Sequence, residues 1–213
     1  TAFAASLVLI GPIWRWTSYL ITVVHEGGHA LAALLVGSKL QGIKIRWDRS
    51  GETLTLGSTF LPFRMWTTWW GYPAPAALGC FYLWAVFEGR QGLAITFTLI
   101  MSFVMFLQIR SFMAFLTITG SGIATACIWW WLPATPMAFL IYFFGWFLLF
   151  GAVGSLGNLT RLHWRGRASG SDALSLRSMT LVVPAVVWLL TFWCAISAGV
   201  FYSGYLLWSL ING

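Results

Sequence analysis

The sequence predicts an all-α polytopic membrane protein with about six transmembrane helices, a short N-terminal apolar segment and one small cytoplasmic-side β-hairpin. Three observations carry this prediction. Hydrophobic residues fill 59% of the 213 positions and charged residues only 8%, against about a quarter charged in a soluble domain, so the chain cannot cover itself with polar surface in water. Apolar runs long enough to match the hydrocarbon core of a bilayer recur along it. The basic residues fall in the short stretches between those runs, a distribution that follows membrane topology.

The apolar runs divide the chain in order. A leading piece at Ala2 to Ile10 is broken by Gly11-Pro12. Helices are then expected at about Trp14 to Val36, Met65 to Phe87, Gly92 to Gln108, Phe112 to Trp131, Pro136 to Leu156 and Met179 to Leu210. Pro73, Pro75 and Pro184 fall inside these segments and should kink them, which a lipid-embedded bundle tolerates. Trp residues gather near the ends of apolar runs, as at Trp14, Trp16, Trp66, Trp129 to Trp131 and Trp164, and read as interfacial anchors. Cys80, Cys127 and Cys194 lie in separate apolar runs and read as packing residues. The whole of residues 1–213 is expected to form a single integral membrane domain.

Leu40 to Phe60 has a different period. Ile43, Ile45 and Trp47 alternate with Lys44, Arg46 and Asp48; Arg49-Ser50-Gly51-Glu52 supplies a turn; Leu54 and Leu56 alternate with Thr53 and Thr55 on the way back. A hairpin on the membrane surface at about residues 40–60 is the expectation. In the resulting topology Lys39, Lys44, Arg46, Arg49, Arg64, Arg110, Arg161, Arg165, Arg167 and Arg177 share one side, leaving Arg15 and Arg90 on the other. That side, holding the hairpin and the loop from Gly157 to Ser178, should be cytoplasmic. The net charge of +7 is thereby explained by topology, and no nucleic-acid partner is expected.

The chain has five acidic residues and three histidines. Three of these eight, His25, Glu26 and His29, lie within five positions of one apolar helix as His25-Glu26-Gly27-Gly28-His29. At i and i+4 the two histidines project from one face and can share a tetrahedral zinc ion, while Glu26 is placed to take a proton from water. Two histidines satisfied by hydrogen bonds within a bundle are the plainer alternative. Ser18 and Thr22 continue the stripe, and such a stripe must face protein or a water-filled cavity. Gly27, Gly28, Ala30, Ala32 and Ala33 leave room for a closely approaching helix or substrate backbone, or for ordinary helix packing.

A zinc protease needs a third protein ligand. The candidates are Asp48, Glu52, Glu88, His163 and Asp172. Glu88 falls on the opposite side, and Asp48 and Glu52 belong to the hairpin turn. Asp172, before the last helix, shares the motif's side and reaches it if that helix starts near Ser171 and dips inward. A carboxylate at a helix start is also favoured by the helix dipole alone.

In these features the chain resembles the site-2 protease family of intramembrane zinc metalloproteases, particularly its compact bacterial members without a PDZ domain. The likeness rests on His25-Glu26-Gly27-Gly28-His29-Ala30, on Gly37 with the strand-like Ile43 to Trp47, on Gly71-Tyr72-x-x-Pro75, and on Ser171-Asp172-Ala173. The family's usual third-ligand pattern, Asn-x-x-Pro followed by Asp-Gly, is absent. The resemblance implies His25, His29 and Asp172 as ligands of one zinc ion and Glu26 as general base. It also implies a hairpin edge presented to an unwound membrane-protein substrate, and residence in a bacterial cell membrane with the active site toward the cytoplasm. Asn158 is a candidate helper for the oxyanion or a plain helix-end residue. Rival readings are a catalytically weak homologue that binds membrane partners as a subunit of an assembly, and a transporter or proton relay built on the same His and Glu.

Overall fold

A computed structural model describes residues 1–56 and 60–212, so the last part of the expected hairpin, residues 57–59, lies outside the described residues. The elements run α1 (Ala2–Leu9), α2 (Gly11–Leu35), β1 (Lys39–Ile45), β2 (Gly51–Leu56), α3 (Leu61–Trp69), α4 (Pro73–Phe87), α5 (Gln91–Phe106), α6 (Phe112–Trp131), α7 (Ala134–Trp164), α8 (Asp172–Thr180) and α9 (Ala185–Asn212). Among the described residues, α6, α7 and the Ala185–Ser209 part of α9 are long and apolar enough to cross a membrane, while α4 and α5 are shorter apolar helices. Length and composition thus establish three spans among the described residues, against the expectation of about six. The motif helix α2 has 25 residues but carries Arg15, His25, Glu26 and His29.

Two expected helices are each divided. Met65 to Phe87 is not one kinked helix: α3 ends at Trp69, and Pro73 opens α4 within its first two positions. A proline there lacks only an N–H that has no helical partner anyway, so Pro73 and Pro75 start a helix rather than bend one. Met179 to Leu210 is likewise replaced by α8 and α9, with a break at residues 181–184 just ahead of Ala185. Leu181 takes a left-handed φ of 59° in that break, and Pro184 cannot supply a helical N–H. The expected loop from Gly157 to Ser178 shrinks to residues 165–171, because α7 continues to Trp164 and α8 has begun by Asp172.

The largest core forms around α4, α7 and α9, where Leu83, Phe147, Leu149, Leu156, Phe192 and Ile196 are fully buried. A second cluster joins α2, the hairpin and α6 through Tyr19, Val23, Ile43, Ile45, Met113 and Ile118. Gly37 makes this second cluster possible. With φ of 73° it ends α2 in a left-handed turn, and the N–H of Ser38 donates to the Ala33 carbonyl at 2.9 Å, so the chain reverses at once into β1.

The hairpin therefore does not stand off on a surface. It lies back along α2: the Tyr19 hydroxyl donates to the Trp47 carbonyl at 2.7 Å, and the Thr22 hydroxyl to the Arg49 carbonyl at 2.9 Å. Tyr19 is 16 residues before Leu35, or about 24 Å of helix. Its turn also comes earlier than expected. Asp48 accepts from the Ser50 N–H at 2.9 Å and the Ser50 hydroxyl at 2.6 Å, closing the reversal at residues 46–50 and leaving Gly51 and Glu52 in β2. Those two bonds hold the exposed Asp48 carboxyl below its ordinary pKa. Pairing is antiparallel, Ile43 opposite Thr53 and Ile45 opposite Gly51, with an irregularity between Leu40 and Gly42.

The outer edge of β1 is covered. The Ile43 N–H donates to the Gln108 carbonyl at 2.6 Å, the Arg110 N–H donates to the Ile43 carbonyl at 2.9 Å, and the Ser111 hydroxyl serves both backbone groups of Ile45 at 2.9 Å. Since Ile43 and Ile45 turn these groups away from β2, their partners Thr53 and Gly51 turn theirs away from β1. The open edge of the sheet is thus on β2.

Candidate functional site

Three segments far apart in sequence meet at one point. His25 and His29, one turn apart on α2, bring their Nε2 atoms to 3.1 Å from each other. Asp172, first residue of α8, places Oδ2 at 3.2 Å from His25 Nε2 and 3.5 Å from His29 Nε2. Ser171 caps that helix, its hydroxyl accepting from the Leu174 N–H, and α8 packs on α3 and α9. The break at residues 181–184 lets α8 take its own direction, so Asp172 reaches α2 without α9 having to bend. Burial by itself would raise the Asp172 carboxyl, but His29 and His25 outweigh it and hold it well below the ordinary carboxylate range.

The division between α3 and α4 fixes the ring of His29. Because α3 stops at Trp69, the Thr67 carbonyl is among the last carbonyls without a helical partner. His29 Nδ1–H donates to it at 2.8 Å. That bond assigns the proton to Nδ1 and leaves the Nε2 lone pair facing the cluster, an outer partner of the kind that orients metal-binding histidines. The turn is held in place by Trp69, whose indole N–H donates to the Thr191 hydroxyl at 3.0 Å, and by Tyr72, stacked on Phe192 and edge-on to His25. Gly71 lies directly on the histidines: a Cβ there would meet His29 Cε1 and Nε2 at 2.5 Å and His25 Cε1 at 2.7 Å.

Glu26 is 2% exposed and turns toward the hairpin. The Thr53 hydroxyl donates to Glu26 Oε2 at 2.6 Å and lies 3.2 Å from the Glu26 carbonyl. Oε1 lies over Gly51, where any side chain would collide with the carboxylate. One carboxylate oxygen is therefore anchored while the other keeps its lone pairs.

The donor set suits a divalent cation. Among the described residues, His25, His29 and Asp172 form a group whose ligand atoms lie within 4.8 Å of one another. Asp172 Oδ2 is buried without a hydrogen-bond partner, a costly condition for a carboxylate oxygen that a cation relieves. Two imidazoles and one carboxylate match a zinc site with a fourth position left for water or substrate.

The other candidates lie elsewhere. Asp48 is in the hairpin turn, Glu52 pairs with Arg46 at 2.8 Å, Glu88 is the exposed C-cap of α4, and His163 sits in the last turn of α7 beside Trp164. Asn158 is an exposed residue within α7 rather than at its end. Of the expected stripe on α2, Ser18 bonds back to the Arg15 carbonyl and Thr22 holds the hairpin. Sequence reasoning missed Thr53, Gly51 and the Thr67 carbonyl. Only Thr67 left a trace, through the Gly71-Tyr72-Pro73 break that ends its helix.

The fold is mostly helical with apolar spans, and its site sets a half-buried His-His-Asp cluster beside an anchored glutamate. Comparison with family profiles narrows this further: Peptidase M50B-like matches residues 1–204, and the chain belongs to that family, a site-2 protease family. No curated protein and no solved structure matches it.

Proposed function

We infer that the protein is an intramembrane zinc metalloprotease that hydrolyses a peptide bond in or near a transmembrane segment of a membrane-protein substrate. The observation that carries this reading is the convergence of His25 Nε2, His29 Nε2 and an unsatisfied Asp172 Oδ2, with Glu26 buried in the same helix turn. These three residues are the ligands of one zinc ion. When bound, zinc supplies Lewis acidity, which acidifies water and polarises a peptide carbonyl.

Everything else is done by the chain's own groups. Thr53 holds Glu26 Oε2, and Oε1 accepts the proton of the attacking water and later passes it to the leaving amine. The Thr67 carbonyl keeps His29 in the tautomer that ligates through Nε2. The substrate must unwind first, because a helical carbonyl is already hydrogen-bonded. An extended segment can pair with the β2 edge, where Gly51 and Thr53 turn their backbone groups outward next to Glu26.

The charge asymmetry of the loops supports an active site toward the cytoplasm, and the resemblance to compact bacterial site-2 proteases supports residence in a bacterial cell membrane. In this reading α2, α4 and α5 complete a bundle of about six spans with α6, α7 and α9.

The test compares metal content and cleavage of a single-span substrate between wild type and Glu26→Gln. About one zinc per chain in both, with cleavage only in wild type, is the expected result. Equal zinc with no cleavage by either, across a panel of single-span substrates, favours a binding subunit instead. Unchanged metal in His25→Ala overturns the zinc assignment itself.

A further inference from the structure

A cavity of about 670 Å³ lies on the other side of α2, between α2, α4, α5, α6 and α7. Among the described residues, no Asp, Glu, Lys, Arg or His lines it. Apart from Ser102, its hydroxyls are already engaged: Tyr82 and Thr98 with each other, Ser121 with the Ile118 carbonyl and Thr125 with the Ser121 carbonyl. The Trp70 indole nitrogen is buried without a partner, and having no exposed surface it does not face the cavity. Cavities with so little polar demand stay free of water and take apolar occupants.

Its shape decides between apolar occupants. Leu20 and Leu35 both line it, fifteen residues apart on α2, so it runs for about 22 Å. Spread over that length, and with the radius of a water molecule added around it, the volume leaves a channel roughly 9 Å wide, whereas a helix with its side chains is about 10–12 Å across. A transmembrane helix of a substrate or partner is too wide. A single hydrocarbon chain fits in width, and its length is comparable with the bilayer core in which such chains are the surrounding solvent.

We propose that this cavity binds one acyl chain of a bilayer lipid, with the headgroup outside, against the back of the motif helix. Gly27 lines it two residues from His25, nearly opposite on the helix, and Ala77 is exposed to it in the middle of α4. The bound chain supplies the packing that α2 lacks on that side. This inference is independent of the proteolytic reading and survives its failure.

The experiment reconstitutes the full chain in phosphatidylcholine vesicles containing a phosphatidylcholine with a diazirine midway along one acyl chain. After photolysis the adducts are mapped by mass spectrometry. Adducts on Leu31, Ala77 and Met101 are expected. Ala77→Trp, and Ala124→Phe from the facing wall, should each lower that labelling at least fivefold, with Ile123→Trp on the outer surface as the unaffected control. Labelling confined to outward residues such as Ile100 and Phe103 overturns the proposal. So does loss of the cavity adducts on adding a single-span peptide, which would make the cavity a helix site. Modification of Ala77→Cys by a membrane-impermeant maleimide, in a chain with Cys80, Cys127 and Cys194 replaced by alanine, overturns it in favour of water.

Discussion

The two faces of α2 are built on opposite principles. On the His25 face nearly every polar atom of the helix meets a polar group from outside it: Tyr19 and Thr22 are held by hairpin carbonyls, Glu26 by Thr53 and His29 by Thr67, and Asp172 Oδ2 lies within 3.5 Å of both histidines. Neighbouring backbone comes so close that Gly51 and Gly71 have no room for a side chain. On the Gly27 face the contacts are apolar: Gly27 meets the flexible end of Met105, Val23 packs with Met113 and Ile118, and the long apolar cavity borders the rest. The contrast teaches that polar anchoring is concentrated where ligand atoms must be aimed to within fractions of an ångström, and gives way to apolar contact and open space a few ångströms away on the same helix.

The largest break in that contrast comes from removing a ligand. Asp172→Ala or His29→Ala should drop bound zinc from about one per chain to below about 0.1 after dialysis against a mild chelator, since two remaining ligands do not make a closed site. Metal analysis by mass spectrometry reads this directly. Retention of full stoichiometry in Asp172→Ala would remove that residue from the ligand set.

Next in size is Gly71→Ala. The new methyl would sit 2.5 Å from His29 Nε2, and the neighbour is a ligand ring fixed by two other bonds, so it cannot give way cheaply. Zinc affinity should fall by roughly 10–100-fold, the range for losses in the shell around a metal, as measured by competition with a fluorescent chelator. Thr53→Val follows. It removes the donor to Glu26 without changing side-chain size, so cleavage should fall about tenfold with zinc unchanged. Thr53→Ser should recover most of the rate, and equal rates in Val and Ser variants would show that Thr53 does not position Glu26.

How much of this was legible in the sequence follows from whether a feature is local. The histidine pair and Glu26 are fixed by spacing along one helix, and the strand period of Ile43 and Ile45 is equally local, so both could be read directly. The breaks at Gly71-Tyr72-Pro73 and at Pro184 were visible as residues, but apolar continuity across them favoured unbroken spans. Only packing shows that each break creates a short helix carrying part of the site. Asp172 could be chosen among five candidates by topology. Thr53 could not, because a threonine on a strand looks the same whether it bonds to water or to a buried carboxylate.

The smallest effect is the most discriminating for the open face. Gly120 lines the cavity on α6, and a Cβ there would meet nothing within 4 Å. In a helix interior alanine is favoured over glycine by about 0.8–1 kcal/mol, so Gly120→Ala should raise the thermal midpoint by about 1–4 °C and leave zinc content unchanged. The same substitution is thus stabilising where α6 borders open space and disabling at Gly71, where it strikes a ligand. A lowered midpoint for Gly120→Ala would mean that something rigid already fills that part of the cavity, and the asymmetry between the two faces of α2 would have to be given up.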